Sequence, residues 1–148
     1  MDSHGEKAEN LFLQGYNCAQ AVLCAFGDVT GLEQKTAAAL ASSFGGGLGR
    51  MREVCGAVSG AAMALGTVTG GYAPDDRDAK KAHYALVREF CARFKEQNGS
   101  IICRELLSGA NAGAGGDPEE RTEAYYKKRP CPMLVRNAAE ILDDILTR

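Results

Sequence analysis

The side chains best able to do chemistry in this 148-residue sequence are its cysteines: Cys18, Cys24, Cys55, Cys91, Cys103 and Cys131. A thiolate is both a nucleophile and a soft metal ligand. Six cysteines are many for a chain with no secretory signal. The N-terminal "MDSHGEKAENLFLQG" lacks a basic region followed by an apolar core, so the reading is cytoplasmic. In a reducing compartment such a count points to redox or metal chemistry rather than a static disulfide frame.

The cysteines divide by position. Cys24 and Cys91 fall inside helical patterns beside Val22 and Phe26, and beside Phe90 and Phe94. There they read as small core hydrophobes. The other four each sit in or next to a first helical turn. Cys18 follows the N-cap Asn17, Cys55 follows a glycine run, Cys103 comes three after Ser100, and Cys131 precedes Pro132. Free N–H groups and the helix dipole favour negative charge at such starts. Each also heads an apolar stripe, with Val22, Val58, Leu106, Leu107, Leu134 and Val135 three or four residues on. Four helix starts are therefore expected to bring four sulfurs to one interior place. The intervals of 37, 48 and 28 residues contain no C-x-x-C. That argues against thioredoxin-like motifs, zinc knuckles and the common ferredoxin patterns. It leaves reversible disulfides, or a four-cysteine metal or iron–sulfur site drawn from distant helices.

"FGGGLGRMREVCGAVSG" (44–60) holds six of the eighteen glycines. It fails as a dinucleotide fingerprint because Arg50 stands at the third glycine position and no strand precedes it. Such a run lets backbones approach closely and can present N–H groups to an anion. Here it is expected to shape the backbone around Cys55. With Arg50 and Arg52 just upstream, Cys55 is expected to be the most acidic of the four thiols. Cys131, followed by a proline without an N–H, should have fewer donors. Surface salt bridging is the expected role of Arg50, Arg52 and Arg104. His4, near an end expected to fray, and His83, on an amphipathic face, are weak candidates.

The elements that must position these thiols are helices throughout. Ala8, Leu11, Phe12 and Gly15 mark the first, and residues 18–26 form a nearly all-apolar second. A third runs from about Leu32 to Phe44 and a fourth from about Glu53 to Gly66. A long one spans about Asp76 to Gln97, with an apolar face of Ala79, Ala82, His83, Leu86, Val87, Phe90, Cys91 and Phe94. A short helix follows Ser100, and Asp117-Pro118-Glu119-Glu120 opens another toward Lys128. The last, from Pro132, carries Leu134, Val135, Ala138, Ile141, Leu142, Ile145 and Leu146 on one face. The expected fold is an all-α bundle of about six to eight helices in a single domain, residues 1–148. A net charge of -2 without a basic stripe argues against a nucleic-acid binder. The uncharged stretch 54–74 is long enough to cross a bilayer. Its five glycines and five large aliphatic residues make it a buried helix instead, and its flat small-residue face suggests a homodimer.

"GYNCAQAVL", "GGGLGRMREVCGAVSGAAMALG", "CRELL" and "CPMLVRNAAEIL" together resemble the C_GCAxxG_C_C family of redox-active proteins. The central element is Cys55-Gly56-Ala57-Val58-Ser59-Gly60, and the flanking cysteines fall on Cys18, Cys103 and Cys131. Cys24 and Cys91 lie outside the pattern. The resemblance implies that the four thiols act together in redox chemistry with an oxidoreductase or another redox protein as partner. It supplies no substrate. The expected function is thiol–disulfide exchange, with a four-cysteine metal or iron–sulfur module for electron transfer as the alternative.

Overall fold

The computed structural model describes residues 3–108, 116–117, 120–122 and 130–148, and among these the regular structure is all helical, as expected. The helices are α1 (His4–Leu13), α2 (Cys18–Ala25), α3 (Gly27–Thr30), α4 (Gln34–Ala41), α5 (Gly56–Thr69), α6 (Arg77–Asn98), α7 (Cys103–Leu106) and α8 (Cys131–Thr147). A 3-10 turn, Ser42–Phe44, continues α4. The helix expected from Asp117 to Lys128 lies largely outside the described residues. No described helix is long and apolar enough to cross a membrane.

Helix α2 runs through the middle, packed against α1, α4, α5 and α8. Its residues explain that position. Ala19, Ala21, Val22, Leu23 and Ala25 are buried, so apolar side chains surround it almost completely. A reciprocal capping box fixes its start. Asn17 Oδ1 accepts from the Gln20 N–H at 2.8 Å, and Gln20 Oε1 accepts from the Asn17 N–H at 3.0 Å. Cys18 is thereby held at the first helical position.

Helix α5 lies against α2 through its glycines. A Cβ on Gly60 would stand 2.6 Å from the Ala19 carbonyl oxygen, and one on Gly56 3.1 Å from Cys18 Cβ. The C-G-A-x-x-G spacing thus puts two glycines one turn apart on the face that touches α2. The small-residue face that suggested a homodimer is spent inside the chain.

Helix α8 buries Leu134, Val135, Ala138, Ile141, Leu142 and Ile145 as its periodicity predicts. The stripe of α6 is less covered. Only Phe90 and Phe94 are buried, while Ala79, His83, Leu86, Val87 and Cys91 are half-buried and Ala82 is exposed. The start of α1 is fastened rather than frayed. Ser3 caps it, His4 Nδ1 lies 2.7 Å from Asp143, and Nε2 lies 2.8 Å from Asp28. The ring stacks on Phe26 at 4.1 Å.

Candidate functional site

Three local structures bring the thiols together. The first is the capping box that begins α2 with Cys18. The second is the loop 45–55. Gly46, Gly47, Leu48, Gly49, Arg50 and Arg52 all have φ between 55° and 76°, a left-handed run unusual for its three non-glycine members. Internal bonds hold it: Arg50 N–H to Gly45 O at 3.0 Å, Arg52 N–H to Gly46 O at 3.1 Å, and Glu53 N–H to Gly47 O at 2.9 Å. These three donors are spent within the loop, which fixes its shape. A Cβ on Gly47 would meet Cys103 Cβ at 2.8 Å. Glycine there is what lets the loop close over that cysteine.

The third is an isolated antiparallel bridge between Val54 and Ile102. The Cys55 N–H donates to Ile101 O at 2.8 Å, and the Cys103 N–H donates to Glu53 O at 2.6 Å. Cys55 and Cys103 therefore each lie one residue past the bridge on opposite strands, pointing to its inner side. Cys55 caps α5 instead of lying within its first turn, because the left-handed loop delays the helix from the expected Glu53 to Gly56.

The result is one cavity of about 300 Å³ whose wall includes Cys18, Cys55, Cys103 and Cys131. Arg50, Arg52, Arg121 and the glycines of the loop also line it. Cys55, Cys103 and Cys131 are only 3, 7 and 6% exposed, and Cys18 is half-buried. All six cysteines are free thiols. Among the described residues no three His, Cys, Asp or Glu side chains stand in an arrangement that could hold a metal ion.

The sulfurs differ in their surroundings. The Cys18 thiol donates to Cys131, which together with burial and the nearby sulfurs pushes it well above the usual thiol range. Burial pushes the Cys55 thiol up to about 12, the sulfurs of Cys131 and Cys103 add to this, and the nearby Ala57 and Val58 N–H groups only partly offset it. The surroundings of Cys55 thus raise its thiol, where its helix start and upstream arginines led to the expectation of an acidic one. Removing a thiolate from water costs more than a helix start returns. Cys103 instead receives a hydrogen bond from Arg52 Nη1 at 3.7 Å. Arg52 is a correction too. It is 4% exposed and points inward, whereas Arg104 makes the expected surface ion pair, 2.8 Å from Glu53.

Cys24 and Cys91 stay away from the cavity wall. Both pack against the core but are half-buried rather than fully covered, and burial raises both thiols. Sequence reasoning missed Arg121, whose guanidinium donates to the carbonyls of Phe12 and Tyr16 and lies 4.5 Å from the centre of the Phe12 ring.

The family model described as "Putative redox-active protein (C_GCAxxG_C_C)" matches residues 16–145. The chain belongs to this family. Cys18, Cys55, Cys103 and Cys131 line the cavity within the matched range, and Gly56 and Gly60 seat α5 on α2. No curated protein and no solved structure matches the chain.

Proposed function

We propose that the cavity performs thiol–disulfide exchange with its cysteines arranged as two dithiol pairs, Cys18 with Cys131 and Cys55 with Cys103. The observation that carries this reading is the convergence of the four on one cavity, with Cys18 donating directly to Cys131. Neighbouring thiols can be joined where their Cα atoms lie within about 7 Å. The second pair rests on the Val54–Ile102 bridge, which sets Cys55 and Cys103 diagonally on one face. Each pair gives up two electrons and two protons on oxidation, so the site stores up to four electrons. Six free thiols fit a reducing compartment, cytoplasmic in this reading, where an oxidoreductase would recharge the pairs.

A titration in glutathione redox buffers tests this. Free thiols should fall from six to two in reversible steps, with the four cavity cysteines lost and Cys24 and Cys91 retained. Anaerobically purified protein carrying stoichiometric iron or zinc on those four cysteines would favour the metal or iron–sulfur module instead.

A further inference from the structure

We infer that the oxidant this cavity reduces is a low-molecular-weight disulfide, and that Cys103, held by Arg52, is the sulfur that opens it. The inference rests on the exchange reading above and narrows it to a substrate class and a first step.

Size and access set the class. Exchange requires sulfur-to-sulfur contact, yet Cys55, Cys103 and Cys131 are at most 7% exposed inside a space of about 300 Å³, and only Cys18 is as open as half-buried. That volume is at the small end of ligand pockets. A disulfide fixed on the surface of a folded protein stops at the mouth, while a small free disulfide can enter.

The entry sulfur follows from what each thiol touches. Cys18 spends its S–H on Cys131. Cys55 is surrounded by burial and by other sulfurs. Cys103 touches a permanent cation, the buried Arg52, whose Nη1 donates to its Sγ. A guanidinium donor is strongest toward an ionised acceptor, and it favours the nucleophilic form of the sulfur. The loop holds that guanidinium in place. Arg52 sits at φ 63°, its N–H bonded to Gly46 O and its carbonyl accepting from the Arg104 N–H at 3.2 Å, one residue along from Cys103. Arg52 is thus a positioning residue acting through Cys103.

In the first step the Cys103 thiolate attacks one sulfur of RS–SR. A Cys103–SR bond forms, the RS–SR bond breaks, and RS⁻ leaves with the electron pair and takes a proton from water. Cys55 then attacks Cys103 Sγ, and its proton passes to the departing second RS⁻. The site ends with one Cys55–Cys103 disulfide and two RSH, a two-electron transfer.

The test uses the full reduced protein with 2-hydroxyethyl disulfide as the small probe and insulin as the protein probe, with acid-trapped mixed disulfides located by mass spectrometry. The small probe should react at least tenfold faster, with the first adduct on Cys103. Arg52→Gln should slow that adduct about tenfold at neutral pH while Arg52→Lys restores much of the rate. Because a buried arginine variant can fail to fold, the wild-type probe comparison and the adduct position stand as independent readouts. Equal rates for both probes, or a first adduct on Cys18, Cys55 or Cys131, would overturn this inference and leave exchange standing. If neither probe is reduced and the four thiols never oxidise, the exchange reading itself falls.

Discussion

Cys55 and Cys103 are nearly equivalent by backbone, and they differ in what surrounds their sulfurs. Each lies one residue past the Val54–Ile102 bridge, each stands at a helix start, and each is almost fully buried. Cys55 stands beside the first N–H groups of α5 and is still pushed up to about 12. Cys103 receives a guanidinium. The partial charge of a helix start is an effect of about 0.3–1 kcal/mol at exposed sites, whereas burying a thiolate works against several pKa units. What separates the two sulfurs is therefore the inward-pointing arginine beside Cys103.

The largest effect should come from breaking the frame that both cysteines share. Gly60→Ala forces a Cβ to 2.6 Å from the Ala19 carbonyl oxygen, so α5 must lift from α2. A loss of about 2–3 kcal/mol in denaturant unfolding is expected, as for other overpacked sites. Gly66→Ala in the same helix meets nothing within 4 Å and should be neutral or gain up to about 1 kcal/mol. Equal costs at the two positions would mean that the C-G-A-x-x-G spacing does not set the α2–α5 contact.

The next effect concerns pH. Cys18 and Cys55 hold their protons in the fold far above the ordinary thiol range near 8.5, so the unfolded chain ionises first as pH rises. The stability they contribute is intact below about pH 8.5 and is lost progressively above it toward 12. The slope approaches about 1.4 kcal/mol per pH unit for each thiol. Unfolding midpoints measured under reductant between about pH 7 and 9 should show this fall, and Cys55→Ala should remove about half of it. A flat wild-type profile would remove the burial argument that separates Cys55 from Cys103.

The smallest effects belong outside the pair. Cys24→Ala and Cys91→Ala should each cost about 1 kcal/mol or less, since both side chains are only half-buried, and should leave the oxidation of the cavity thiols unchanged. Thiol titration of each variant checks this. Altered redox behaviour in either would extend the site beyond the four cavity cysteines.

The sequence made the helices and the four converging thiols legible for a physical reason. The stripe of α8 repeats without a miss, and Asn17, Asp76 and Gly99 mark ends that the structure uses as caps. What it hid was non-periodic. Leu48, Arg50 and Arg52 adopt left-handed backbone that sequence rules reserve for glycine, and the loop's own hydrogen bonds hold them there. A bridge of one residue pair leaves no alternating pattern, so the link between Cys55 and Cys103 could not be seen. Arg52 reads as a surface residue in any local window, and its burial is set by a loop fold that brings in residues some fifty positions away. The same blindness hid the burial that raises the Cys55 thiol. Helix starts can be counted along a chain, and desolvation cannot.

The sharpest check on the paired arrangement is disulfide mapping by mass spectrometry, after partial oxidation of the reduced protein and rapid alkylation. Two intramolecular links are expected, Cys18–Cys131 and Cys55–Cys103, with Cys24 and Cys91 alkylated. Oxidation that instead joins Cys24 or Cys91 to a cavity cysteine, or that yields only links between molecules, would contradict it.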